Sequence, residues 1–401
     1  MKENEELFLQ ILKSYVNSRS FEKENGGEIS GEAVGSVLAL AKKHSVQAMC
    51  EYALSGHTQL VNQTVARSVK RIFAATTLLG IFEEKGIKLC VMKGFIVRGF
   101  YAIPELRTFG DIDFLIEKDS ESTVISLMEE LGYSREPGEE HVISFKKDLE
   151  YYEFHTRLAE DDAFEGSVEK LLSSAWSYTK NYNDYKYIYE FEDEFHLFYM
   201  IFHIAKHFRT SGAGVRMFCD IAVFLQKNKA LDMIKFSSLL SSCNMALFAQ
   251  NVLYICRQWF GTESPILDRG YQMSDNLLTE ITEFVLNGGT FGFCGSSLEA
   301  SEIRREMDRQ NDSSRTAASA EKRTLFRFFF PTYEKMKKRY SFVEGKKFLM
   351  PIAYIMRFFG SIFKPKRAKK AVGRLQGIRS GGDEAMKQHA MYKECGLDFF
   401  K

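Results

Sequence analysis

Two carboxylates two residues apart, Asp111 and Asp113 in Asp111-Ile112-Asp113-Phe114-Leu115-Ile116, are the side chains of this 401-residue chain best spaced to do chemistry. On a strand, residues i and i+2 share a face, so both acids would point the same way. Adjacent anions call for a cation. Hard oxygen donors of this kind suit Mg²⁺ or Mn²⁺, ions that fill the rest of their shell with water and substrate phosphates. A further acid follows where Tyr151, Glu153 and His155 alternate with Tyr152 and Phe154, which puts Glu153 and His155 on one face. If that strand lies beside the first, Asp111, Asp113 and Glu153 converge as metal ligands, with Glu153 as ligand or general base. Such a cluster would activate an acceptor hydroxyl and stabilise a leaving pyrophosphate during in-line displacement at phosphorus. An isolated D-x-D, by contrast, often does no more than end a turn.

Cations flank the acids. Val91-Met92-Lys93-Gly94 closes an earlier apolar run, and Arg107 precedes Asp111. Lys93 and Arg107 are therefore candidate phosphate ligands, the arginine being suited to bidentate contact. The segment Glu194–Phe208 places His196, His203 and His207 on roughly one helix face. The His203-x-x-x-His207 spacing fits a metal pair, but the glutamate of a metalloprotease helix is missing. These histidines are expected either to line a cleft against nucleotide or acceptor, or to sit at a helix packing edge. Arg216 and Asp220, four apart, are expected to pair along their helix.

The elements that must carry these residues change character along the chain. Residues 1–84 read as helices, with Val34, Val37, Leu38 and Ala41 at helical spacing and again Val61, Val65, Val69, Ile72 and Phe73. From Gly86 to about residue 157 short apolar runs, Ile87–Met92 and Ile112–Ile116, and alternating stretches at 141–146 and 150–156 predict the β region. Helices are predicted within it at Phe95–Phe100 and Glu121–Leu131. Beyond residue 163 the helical period returns, at Glu194–Phe208, Arg216–Gln226, Leu231–Cys256 and Ser274–Leu286. The fold class expected is α+β and helix-rich: a helical layer at 1–84, an α/β module with a small mixed sheet at 85–160, a helical region at 161–300, an exposed linker at 301–323 and a basic aromatic segment at 324–401.

The order Lys93-Gly94, Tyr101-Ala102-Ile103-Pro104, Arg107, Asp111-Ile112-Asp113, then Glu153-Phe154-His155 resembles a family of bacterial uncharacterised nucleotidyltransferases, within the superfamily where a glycine motif ends the first strand and a D-x-D follows on the second. The resemblance extends into HLFYMIFHIAKHFRTSGAGVRMFCDIAVFL and on to FPTYEKMKKRY and FLMPIAYIMRF, nearly the whole chain. It implies transfer of a nucleoside monophosphate from an NTP to an acceptor hydroxyl, with Mg²⁺ or Mn²⁺ on Asp111, Asp113 and Glu153. It also implies nucleotide contacts from Lys93, Gly94, Arg107, His155, His203 and His207. The chain departs from the superfamily in carrying Phe95 where Gly-Ser or Gly-Gly is usual. A nucleotidyltransferase toxin acting on tRNA or protein, and a catalytically silent binding module, are the alternatives.

Composition bounds the rest. The seven cysteines form no C-x-x-C pair and predict reduced core residues in a reducing, cytoplasmic setting. Met1 is followed by Lys2-Glu3-Asn4-Glu5-Glu6, and no run of 18 apolar residues occurs, so neither a leader nor a spanning helix is expected. The net charge of +1 hides an asymmetry: residues 1–334 carry −11 and residues 335–401 carry +12. Residues 335–380 are thus expected to meet nucleic-acid phosphates, to lie on an anionic membrane surface, or to pack as helices with a solvated basic end.

Overall fold

The computed structural model describes residues 2–22, 29–137, 141–158, 166–210, 212–265, 267, 270–289, 298–308, 317–337, 339–362 and 365–397. Four helices come first: α1 (Glu3–Val16), α2 (Gly31–Lys43), α3 (Gln47–Ser55) and α4 (Gln59–Glu84). Then come β1 (Leu89–Val91), α5 (Gly94–Val97), β2 (Ile112–Ile116), α6 (Glu121–Glu130), β3 (Ser134–Glu136), β4 (Val142–Lys147) and β5 (Glu150–His155). Next are α7 (Gly166–Ser173), β6 (Thr179–Asn181), β7 (Ile188–Phe191), α8 (Asp193–Thr210), α9 (Val215–Lys227), α10 (Met233–Ser242), α11 (Ala246–Phe260) and α12 (Asp275–Gly288). The strands form one mixed sheet of order β3-β4-β5-β2-β1-β7-β6. The fold is α+β and helix-rich, as expected.

β2 is buried along its whole length, which is why it reads as a near-continuous apolar run and not an alternating one. It pairs antiparallel with β1 and parallel with β5. β4 and β5 form a hairpin whose register closes at Lys147↔Glu150, with Asp148 at φ 52° in the tight turn. Aspartate tolerates that left-handed conformation better than most residues. Against the sheet α4 packs Ala75, Leu78, Leu79 and Phe82, whose cluster includes Val91, Phe114, Tyr152 and Phe154.

The stripe expected on α4 is corrected here. Val61 is buried, but Val69 and Phe73 are exposed, because the face that meets the sheet runs through Ala75–Phe82. The β region is also larger than the pattern predicted. β6 and β7 lie in a segment read as helical, and β7 pairs parallel with β1. Strands of three and four residues are too short for a period to show. Leu231–Cys256 is broken into α10 and α11 at Cys243–Met245, where Asn244 takes φ 54°.

Residues 1–292 and 395–401 form one compact unit and residues 293–394 another. The segments 1–84, 85–160 and 161–292 are not separate bodies. α1 packs on α11 as well as on α2 and α3. Asn17 donates to the Phe260 carbonyl at 2.9 Å, and His44 Nε2 meets the Leu286 carbonyl at 3.1 Å. Amphipathic helices must bury their apolar faces somewhere, and here each helical set closes over the other.

The second unit contains α13 (Leu298–Asp308), α14 (Ala317–Phe329), α15 (Tyr333–Lys337), α16 (Met350–Ile362), α17 (Pro365–Ser380) and α18 (Gly382–Glu394). The exposed linker expected at 301–323 is corrected: residues 301–308 are helical, with Ile303, Arg304 and Glu306 buried. Its charges suggested solvation but are spent on ion pairs, Arg304 to Asp308 at 2.7 Å and Arg327 to Glu306 at 2.6 Å. Residues 309–316 lie outside the described set. α16 exposes Ile352, Ile355, Met356 and Phe358. Among the described residues no helix is long and apolar enough to cross a membrane. Six cysteines are free and buried, and Cys294 lies outside the described residues.

Candidate active site

The parallel register of β2 and β5 sets Asp113 opposite Glu153 and Leu115 opposite His155. Asp113 Oδ1 accepts from His155 Nε2 at 2.9 Å, and Glu153 Oε2 stands 3.6 Å from the same nitrogen. One ligand atom from each of Asp113, Glu153 and His155 falls within 4.8 Å of the others. Ligands about 2.1 Å from an octahedral ion stand roughly 3 to 4.2 Å apart, so a contraction of a few tenths of an ångström would close this set on a divalent cation. Two carboxylate oxygens and one imidazole nitrogen are donors that a divalent cation can share. Asp111, one residue before β2, is not within that tight group, but it lines the same cavity of about 440 Å³. Loss of solvent and the neighbouring Asp113 charge raise its carboxyl above the usual range.

Lys93 plugs the cluster. Its Nζ donates to Asp113 Oδ1 at 2.7 Å, and its backbone takes φ 50° and ψ −125° at the entry to α5. A non-glycine residue there stores strain of order 1–3 kcal/mol, which surrounding contacts must hold. Burial would discharge the ammonium, but the Asp113 charge and hydrogen bond outweigh it and hold the lysine protonated. Conversely, burial would raise Asp113, while Lys93 and His155 pull it well below the carboxylate range. Burial lowers the His155 pKa despite the Asp113 hydrogen bond, so a neutral ring donates its Nε2–H to the carboxylate.

Arg107 and Gly94 line the same cavity, where the arginine is engaged by an acid from α9. Its Nε and Nη2 hold the two oxygens of Asp220 at 3.1 and 2.5 Å, and its Nη1 reaches the Thr108 carbonyl. Tyr101 adds a hydroxyl to Asp220 Oδ1 at 2.8 Å. This buried network ties the loop before β2 to α9. It also explains Gly94, because a Cβ there would lie 2.7 Å from the Arg107 Cζ. The glycine thus makes room for the guanidinium, a role that the spacing alone did not reveal.

The i,i+4 pair expected between Arg216 and Asp220 is corrected, since Asp220 is engaged by Arg107 while Arg216 donates to the Thr108 carbonyl at 2.9 Å. Burial, then the like charge of Arg107, lowers Arg216 to about 10. Arg216 and Lys206 line the cavity and were not singled out as site residues from sequence. A signal existed: Lys206 lies between His203 and His207, and Arg216 is one helical turn before Asp220. The loop to the D-x-D is further clamped from α4, where Arg71 donates to the Phe109 and Gly110 carbonyls.

His203 and His207 line the cavity, their Nε2 atoms 3.1 Å apart. His196 does not; it is 2% exposed and packs edge-on to Phe191 and Phe224. Burial holds His44, His196 and His207 neutral, each lowered to about 4. Since the folded values lie below the unfolded value near 6.5, only the unfolded chain gains protons between pH 6.5 and 4. Stability is therefore expected to fall through that window, by about 1.4 kcal/mol per pH unit for each such histidine. Urea midpoints measured from pH 7.5 to 5 check this; a flat profile would contradict it.

A family model described as "Uncharacterised nucleotidyltransferase" matches residues 30–261, more than half of the chain. No curated protein and no solved structure matches it.

Proposed function

The chain belongs to the uncharacterised nucleotidyltransferase family, and from that premise we propose that it transfers a nucleoside monophosphate from an NTP to an acceptor hydroxyl, releasing pyrophosphate. The observation that carries this reading is the convergence of Asp113, Glu153 and His155 to within 4.8 Å beside a protonated, half-buried lysine. Asp113 and Glu153 would hold a divalent cation, with Asp111 and His155 at its edge. When bound, that ion would supply charge neutralisation at the phosphoryl group under attack.

The remaining work falls to the chain's own groups. Lys93, whose ammonium stands 2.7 Å from Asp113 Oδ1, would meet the triphosphate at the same wall of the cavity. Arg216 and Lys206 add positive charge in the same cavity. Glu153, less enclosed than Asp113, would serve as a ligand of the cation or, at a carboxylate oxygen, as the base that accepts the acceptor hydroxyl proton. Neutral His203 and His207 can hydrogen-bond ligand without adding charge. Arg107 acts at one remove, fixing the loop that aims Asp111 and Asp113.

A second reading, a catalytically silent binding module, draws on the Lys93–Asp113 bridge, which places an ammonium where a cation would bind. One assay separates the two. The protein is incubated with Mg²⁺ or Mn²⁺, tRNA, a cell extract and NTPs labelled at the α- or the γ-phosphate. Transfer of α-label, lost in Asp113→Asn and Glu153→Gln, is the expected result. Transfer of γ-label would mean a kinase, and NTP binding without any transfer would mean the silent module.

A further inference from the structure

The 293–394 unit encloses a cavity of about 280 Å³ lined by Arg305, Arg327, Lys335, Arg339, Arg357 and Arg374, with Glu302 and Glu306 as its acids. Both acids are engaged: Glu302 by Arg374, and Glu306 by Arg327 at 2.6 Å with Arg323 at 3.9 Å. The lining therefore carries four positive charges more than negative ones. Lys335 and Arg339 are exposed at the cavity and have no carboxylate partner among the described residues. Arg357 is held in place by the Phe329 carbonyl at 3.3 Å, and the Phe328 ring has Arg357 at 5.6 Å and Arg374 at 5.5 Å. Burial, Arg339 and Arg374 together lower the Arg357 pKa, the mark of like charges crowded together.

We propose that this cavity is a metal-independent binding site for a compact polyphosphate, a diphosphate or triphosphate group, either free or carried on a nucleotide. Charge sets the class. A phosphomonoester brings at most about two negative charges, whereas a di- or triphosphate concentrates three or four in one pocket-sized group. A single RNA strand spreads four charges over four nucleotides, which is too extended for this volume. Guanidinium groups suit the planar, multidentate approach to phosphate oxygens. The Phe328 ring already carries two guanidiniums, so the site reads the phosphates and not a base. The site is independent of the catalytic reading above.

The test is calorimetry on the full chain in EDTA with inorganic triphosphate, pyrophosphate, orthophosphate, ATP and a uridine oligonucleotide. Triphosphate and pyrophosphate are expected to bind one site, at least about tenfold tighter than orthophosphate. The doubly substituted Lys335→Gln/Arg339→Gln chain should weaken that binding by at least about tenfold. Both side chains are exposed, so folding is not at stake, and Arg339→Glu provides a second variant. Lys70→Gln, an exposed lysine that lines neither cavity, should leave it unchanged. ATP binding as tightly as triphosphate assigns the group to a nucleotide, and far weaker binding assigns it to the free anion. Equal affinity for orthophosphate, tighter binding of the oligonucleotide, or unchanged binding in Lys335→Gln/Arg339→Gln would each overturn the proposal.

Discussion

Asp113→Asn is expected to lower kcat/KM for nucleotidyl transfer by about 10²- to 10³-fold, the scale of losing one preorganised charge at a reacting centre. Several partners converge on this one carboxylate. Asp113 is 8% exposed, meets Lys93 and His155 through one oxygen, and stands opposite Glu153 in the sheet. The amide keeps the shape but removes the charge, so cation affinity and the Lys93 partner are lost together. Titrating Mn²⁺ should show the same variant weakened in metal binding, with circular dichroism unchanged. A variant that keeps its turnover within twofold of the parent would remove Asp113 from the mechanism.

Asp220→Ala is expected to cost about 3–5 kcal/mol of stability, because it strands the Arg107 guanidinium in the interior without its counter-charge. Both partners are nearly enclosed, at 8% and 10% side-chain exposure, and Tyr101 loses its acceptor in the same step. The matched double variant Arg107→Met/Asp220→Leu should recover most of the loss, since removing both charges removes the stranded one. Gly94→Ala should behave like a milder Asp220→Ala, as the new methyl group pushes the same guanidinium out of place. Urea unfolding at pH 7.5 reads all three. If Asp220→Ala costs under about 1 kcal/mol, the pair is solvated and does not lock the loop.

The metal-capable strands were legible because strand alternation is a local property. Asp113 and Glu153 could be assigned faces without knowing the fold, and the apolar run of β2 marked a central strand. β6 and β7 were not legible: their few residues carry too little pattern, and β7 holds its place through β1 and through Glu83, whose carboxylate accepts the amides of Lys186 and Tyr187. The charged run at 301–308 misled for a related reason. Charge density predicts solvation only when the charges lack partners; Glu302 finds its partner 72 residues away at Arg374, and Asp308, besides Arg304 one turn back, meets His389 81 residues away.

Residue order alone determined the chemistry available: two acids on one face, a third acid beside a histidine, a lysine and glycine at a strand end, and a basic tail. Tertiary structure decided which of these act together. The register of β2 on β5 selected Asp113, Glu153 and His155 as the tight group and left Asp111 at its rim. The packing of α9 against the loop gave Arg107 to Asp220, so the arginine best spaced to meet phosphate stands at the cavity wall with a counter-charge already on it, and Arg216 stands there with it. Face and period are fixed within a few residues of chain. Partnership between charges is fixed by burial, and burial depends on elements that meet only when the whole chain has folded.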